Sequence, residues 1–256
     1  MKQKLNRIFQ KSFPQKGFAT SQTNEPSEHV LDHVNEAVNF EKQAIFIAIP
    51  KTGTTSVRQQ MSSRGKALIY DPHLNIVQVR EAIYLYLLLK DLGNNAQFPS
   101  RDRKSDTDIR TASQEIFESF FKFSSVRNPW ARAVSLYSRR EGIEVREKLS
   151  FENFCEQHIY ASDTCIHPTL HQNQLDWLTD ETGEIVMDYV YKVEEFETAI
   201  ANIRELTNGR IQLEFITANK NPRSKSTSYR DLYSDRARQL IATRFEKDID
   251  CFKYTF

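Results

Sequence analysis

The segment Ala44-Ile-Phe-Ile-Ala-Ile-Pro50-Lys51-Thr52-Gly53-Thr54-Thr55-Ser56 constrains this chain more than any other. Its apolar, β-branched run reads as a buried strand. The Lys-Thr-Gly turn breaks that strand, and Val57-Arg-Gln-Gln-Met61 continues as a helix. A strand, a tight loop and a helix start together cradle an anion. The N–H groups of the first helical turn lack intrahelical partners, and the helix dipole favours negative charge there. Lys51 adds a full positive charge, and Thr52, Thr54, Thr55 and Ser56 add hydroxyls. Gly53 lets the backbone approach its ligand closely. The plainer reading is a strand-to-helix connection capped by one Thr or Ser, but the segment carries more donors than one cap uses. The nucleoside-triphosphate loop reads G-x-x-x-x-G-K-[ST]. Here the Lys precedes the Gly and the first Gly is missing, so the expected ligand is phosphate-like but differently held.

Apolar and helical patterns alternate along the rest of the chain. Strands are expected at 44–50, 120–126 and 186–191, with shorter ones at 68–70 and 211–216. Helices are expected at 54–64, 76–92, 130–140, 151–158 (capped by Ser150), 194–205 and 235–245, with another inside 109–119. Residues 93–108 read as a surface loop. Residues 1–40 form a polar lead-in and 41–256 a single domain. The alternation implies an α/β fold with a mostly parallel sheet and helices on both faces. Ligands of such sheets sit beyond the carboxyl ends of the strands. Lys51 lies at one such end and Arg127 at another.

The second strand-turn-helix is Ser124-Ser-Val-Arg127-Asn-Pro-Trp130-Ala-Arg132-Ala-Val-Ser135-Leu-Tyr137. A buried strand delivers Arg127, Pro129 starts the helix, and Ser135 follows nearly two turns later. Arg suits forked recognition of phosphate, and Ser adds a neutral donor. Alone, Arg127 reads equally as an ion-pair partner and Ser135 as a helix-surface residue.

Taken together, the two motifs resemble the cofactor-binding pair of the sulfotransferases that use 3′-phosphoadenosine 5′-phosphosulfate. The first is similar to that family's 5′-phosphosulfate loop. The second is similar to its 3′-phosphate motif, with Arg127 and Ser135 at the matching positions. His167-Pro-Thr-Leu-His171-Gln-Asn-Gln174-Leu-Asp-Trp177 and Asp188-Tyr-Val-Tyr-Lys-Val-Glu194-Glu-Phe resemble segments of the carbohydrate-type and bacterial branch. So does the closing stretch from Tyr229 to Tyr254. The resemblance covers residues 44–256 and implies a P-loop-NTPase-like three-layer sandwich. It also implies sulfuryl transfer to a hydroxyl or, less readily, an amine, on a carbohydrate or glycoconjugate, with no metal required.

On that reading Lys51, Thr52, Gly53, Thr54, Thr55 and Ser56 hold the 5′ end of the cofactor, and Lys51 also assists departure of the nucleotide. Arg127 and Ser135 hold the 3′-phosphate. Lys225 and Ser226 join them from the basic loop 219–229. The acceptor proton needs a base, for which His73, His167, His171 and Glu81 are candidates. His73 is favoured, sitting in Asp71-Pro72-His73 just ahead of a helix. Its plainer role is a turn or cap residue. His167, His171 and Gln174 are expected to shape the acceptor pocket. A small-molecule kinase and a non-catalytic adenosine-phosphate-binding module are the alternative functions.

A formal charge of +1 gives no bulk attraction to nucleic acid or an anionic membrane. The three cysteines, Cys155, Cys165 and Cys251, form no zinc pattern and fit a reducing compartment, with a Cys155–Cys165 bridge left open. No window has the apolar length of a spanning helix, and no secretory core follows the basic start. The expectation is a cytoplasmic enzyme whose oligomeric state the residues do not reveal.

Overall fold

The computed structural model describes residues 31–94, 103–138, 147–160, 171–214 and 228–256. At its centre are β1 (Val38–Asn39), β2 (Ala44–Ile47), β3 (Phe121–Val126) and β4 (Tyr189–Lys192), in that order across one sheet. β1 runs antiparallel to β2, while β2, β3 and β4 are parallel. The register pairs Ile47 with Ser124 and Val126 with Lys192, so the three parallel strands end along one edge.

The strand period of two divides the core. Ile45, Ile47 and Ile49 belong to one cluster, with Val79 and Ile83 of α2 (Ile76–Asn94), Phe117 of α3 (Asp106–Ser119) and Leu136 of α4 (Pro129–Tyr137). Ala44, Phe46 and Ala48 face the other way, onto Val57 and Met61 of α1 (Thr54–Met61) and Ile203 of α6 (Phe196–Leu206). An apolar run without polar alternation is what a strand covered on both faces requires. The result is the P-loop-NTPase-like three-layer α/β sandwich. α5 (Phe151–Phe154), α7 (Asp235–Arg244) and α8 (Glu246–Phe252) complete the described helices.

Several expected elements differ. Residues 68–70 form no strand: Leu68 and Ile69 donate single backbone bonds to His33 and Val34, and Asp71-Pro72 ends the pairing. Residues 211–214 form no strand either. Ile211 and Leu213 bury against the α1/α6 face instead, and 215–216 lie outside the described residues. Ser150 caps α5 as expected, accepting from the Asn153 N–H at 3.2 Å, but Cys155–Tyr160 widens into a π-helical turn. The expected helix 235–245 breaks at Phe245, and α8 follows it. α3 begins at Asp106, inside the expected loop, where Ser105 and Asp108 make a reciprocal capping box. Ahead of residue 41, Val34, Ala37 and Val38 are core residues. Cys155 is a buried free thiol and Cys251 an exposed one, and Cys165 lies outside the described residues.

Candidate functional site

The loop after β2 is built from left-handed backbone. Lys51 has φ 70° and Gly53 φ 76°. For Lys51 this conformation costs energy that surrounding structure must hold in place. Thr52 does much of that holding. It is fully buried, and its hydroxyl contacts the Ile49 carbonyl at 3.0 Å and the Ser125 hydroxyl at 2.9 Å. Ser125 in turn donates to the Thr52 carbonyl at 3.0 Å. Thr52 therefore rivets the loop to β3. Gly53 is the N-cap of α1 and supplies no side-chain cap. Among the described residues no side chain caps the first-turn N–H groups of α1; Thr54 and Ser56 are buried and Thr55 is exposed. A Cβ on Gly53 would lie 2.5 Å from Val193 Cγ2.

Arg127 leaves the end of β3 as Lys51 leaves β2. Its backbone is gripped from both sides by Gln174, which accepts from the Arg127 N–H and donates to its carbonyl, each at 2.8 Å. Its guanidinium is half-buried and donates to the Lys51 carbonyl at 3.3 Å, joining the two motifs. Burial pulls the Arg127 pKa down, and the nearby Glu194 carboxylate opposes that shift. Asn128 caps α4 by accepting from the Trp130 N–H at 3.0 Å. Ser135 sits half-buried on the same helix.

A cleft of about 660 Å³ opens where these strand ends meet. Gly53 and Arg127 line it together with Lys192, Glu194, Arg230 and Lys253. Among the described residues that line it, cations outnumber the single carboxylate. Glu194 is engaged, accepting from the Asn128 N–H at 2.9 Å and from the Tyr254 hydroxyl at 3.3 Å. The Arg230 guanidinium lies 4.8 Å from the Tyr229 ring centroid, and the Lys192 ammonium 5.0 Å from that of Tyr254. Sequence reading missed Lys192, Arg230 and Lys253. Lys192 had a signal: it ends the third parallel strand, the position type that singled out Lys51 and Arg127. Arg230 and Lys253 reach the cleft only through folding of the distant closing stretch.

Behind the loops lies a buried polar frame that was also missed. Arg132, 1% exposed, donates to the Pro50 carbonyl at 3.2 Å and the Gln172 carbonyl at 3.2 Å. Desolvation lowers its pKa to about 10, so it stays cationic at neutral pH. Asp248 is fully buried and accepts from the Gln174 N–H at 2.8 Å and the Leu175 N–H at 2.9 Å. Burial raises the Asp248 pKa, while these donors and the Arg132 charge pull against it. The Arg-Asn-Pro-x-x-Arg spacing held a partial signal for Arg132, and Asp248 had none.

His73 lies beside the end of β2. Its Nδ1 is 2.6 Å from the Ala48 carbonyl, and its backbone N–H donates to Asp71 Oδ1 at 2.9 Å. A carbonyl only accepts, so Nδ1 carries the proton and Nε2 is the basic nitrogen. Gln174 is fully buried, with its amide oxygen and nitrogen both engaged by the Arg127 backbone. The structure places it as a clamp rather than in a pocket wall. His171 is half-buried, and desolvation together with nearby Arg244 lowers its pKa. Glu81 pairs with Arg80, which also binds Glu181. His167, Lys225 and Ser226 lie outside the described residues.

The structure thus brings Lys51, Gly53, Arg127 and the start of α1 to one sheet edge, with the His73 ring against the Ala48 carbonyl just after β2. Among the described residues no helix is long and apolar enough to cross a membrane. No curated protein and no solved structure matches the chain significantly. A family model, the sulfotransferase family, matches residues 37–255. The chain belongs to the sulfotransferase family.

Proposed function

We propose that this sulfotransferase moves the sulfuryl group of 3′-phosphoadenosine 5′-phosphosulfate to a hydroxyl of a carbohydrate or glycoconjugate. The observation that carries the reading is the cation-rich cleft at the shared strand edge, where Gly53 and Arg127 face one space. Its features suit a nucleotide with phosphates at both ends: an uncapped helix start, a left-handed loop and several cations around one engaged carboxylate.

The bound donor supplies an electrophilic sulfuryl group on a phosphate leaving group. Lys51 and the N–H groups of Thr54, Thr55 and Ser56 hold the 5′ end and stabilise charge that grows on the leaving oxygen. Gly53 keeps that approach open, and Thr52 holds the loop's shape. Arg127 and Ser135 hold the 3′-phosphate, with Lys192, Arg230 and Lys253 adding positive potential. His73 takes the acceptor proton at Nε2, its tautomer set by the Ala48 carbonyl. Positioning and charge stabilisation account for the rate, as in phosphoryl transfer.

A thermal-shift comparison tests the reading. Adenosine 3′,5′-bisphosphate raises Tm, and ATP with Mg²⁺ does so less or not at all. Stabilisation by ATP with Mg²⁺ alone would overturn the assignment in favour of a kinase.

A further inference from the structure

An arginine on a protein surface ordinarily samples many rotamers, and holding it in one costs side-chain entropy. Arg230 is such a residue. It is exposed, lines the cleft and forms no ion pair among the described residues. Two aromatic rings nonetheless hold it. Its guanidinium carbon stands over the Tyr229 ring, 4.8 Å from the centroid, and over the Phe256 ring, 5.6 Å from the centroid. The negative face of each ring attracts the cation and restricts where it points.

Tyr229 precedes Arg230 in sequence, so their contact is local. Phe256 arrives from the stretch after α8, and its ring is fixed by others. Trp130, Tyr229 and Tyr233 meet it edge to face, at interplanar angles of 78°, 89° and 80° and centroid distances of 5.6, 6.0 and 5.3 Å. Ring quadrupoles favour that arrangement. The cage is itself tied by hydrogen bonds. Trp130 Nε1 donates to the Arg238 carbonyl at 3.1 Å, and the Tyr233 hydroxyl donates to the Trp130 carbonyl at 2.9 Å. One residue before Phe256, the Thr255 carbonyl accepts from Asn128 Nδ2 at 2.8 Å, and Asn128 is the neighbour of Arg127 in sequence. Thr255 lines the cleft and, with Phe256, also a neighbouring hollow of about 440 Å³. Phe256 therefore stands behind the cleft wall.

A ring that served packing alone would call for apolar neighbours. Phe256 is only half-buried, and a second guanidinium, that of Arg238, lies 4.6 Å from its centroid. One ring thus holds two like charges near each other, and an anion in the cleft gives the Arg230 charge a partner. We infer that Phe256 is a positioning residue for the donor site, its ring holding the Arg230 guanidinium at the cleft so that an anionic ligand meets a cation already in place. This rests on the sulfotransferase reading, in which adenosine 3′,5′-bisphosphate occupies the cleft, and adds preorganisation to it.

Calorimetric titration of the full chain with adenosine 3′,5′-bisphosphate tests the inference. Phe256→Leu keeps an apolar side chain and loses the ring face. It weakens binding about two- to fivefold, the range of an exposed cation–π contact. Phe256→Tyr keeps the ring and binds as the wild type does. Arg230→Gln also weakens binding, and in that background Phe256→Leu adds no further loss. Phe256→Met supplies the same comparison should the leucine variant fail to fold. Wild-type affinity in Phe256→Leu, a Phe256→Tyr protein as weak as the leucine variant, or an equal Phe256→Leu loss in both backgrounds overturns the inference. So does failure of both apolar variants to fold, which marks Phe256 as structural. A wild type that binds no bisphosphate counts against the proposed function itself, so the two failures are separable.

Discussion

Gly53→Ala probes the loop after β2 at its tightest point. The residue sits at φ 76°, where an alanine costs about 1–2 kcal/mol relative to right-handed backbone. The new Cβ would stand 2.5 Å from Val193 Cγ2, inside any tolerated contact. Val193 is β-branched and stiff at χ1. The methyl cannot simply swing aside, and such overpacking costs about 1–3 kcal/mol. The sum is about 2–5 kcal/mol, a Tm fall of roughly 4–20 °C for a domain of this size. Val193 precedes Glu194 in the cleft wall, so displacing it also weakens bisphosphate binding. The decisive assay is a double-mutant cycle with Val193→Ala, read by denaturant unfolding. Removing the valine methyls relieves the clash and leaves the backbone strain, giving a coupling of at least about 1 kcal/mol. Strict additivity, or a Gly53→Ala protein as stable as wild type, would refute the packing argument.

Other outcomes follow from the same geometry. Lys51→Ala abolishes sulfuryl transfer while circular dichroism and Tm stay near wild type, and unchanged turnover would remove Lys51 from the mechanism. Arg127→Ala weakens adenosine 3′,5′-bisphosphate binding about 10- to 150-fold by calorimetry, the range for a charged hydrogen-bond donor. His73→Gln cuts kcat far more than bisphosphate affinity, whereas equal losses in both would mark His73 as structural. Asp248→Ala lowers unfolding stability by about 3–5 kcal/mol, because it strips the Gln174 and Leu175 donors of their acceptor and removes a buried negative charge that attracts Arg132. Asp248 also carries a pH signature: its pKa is raised on folding, so its contribution is present below the unfolded value and lost as pH rises through the folded one. The stability difference between wild type and Asp248→Asn therefore grows as pH is lowered through the acid range.

What was legible in the residues was local. Ala44–Ile49 announces a strand buried on both faces because its apolar run lacks polar alternation, and Pro129 after Arg127-Asn128 marks a helix start by its fixed φ. The loop after β2 and Arg127 stand out as candidates because their chemistry lies within a few residues of a strand end. What escaped depended on contacts far apart in sequence. β1 is two residues long and leaves no period to detect. Residues 68–70 carry strand-like side chains, but only tertiary pairing decides whether such a run joins a sheet. Gln174 is expected in the acceptor pocket only through the resemblance of its segment to the family. Its amide instead closes on the Arg127 backbone, 47 residues away in sequence. Arg132 shows the same limit, since an arginine inside a helical pattern reads as a surface residue until two distant carbonyls are folded onto it.

The bracket that Arg132 forms between Pro50 and Gln172 bears on the order in which two substrates are taken up. One buried side chain holds both the loop assigned to the donor and the stretch assigned to the acceptor. Neither is free to settle without biasing the other. Thermodynamic reciprocity then demands that whatever the nucleotide does to acceptor affinity, the acceptor does equally to nucleotide affinity. Steady-state patterns should thus show interdependent Michaelis constants, and Arg132→Lys, which loses the planar fork, should move them toward independence.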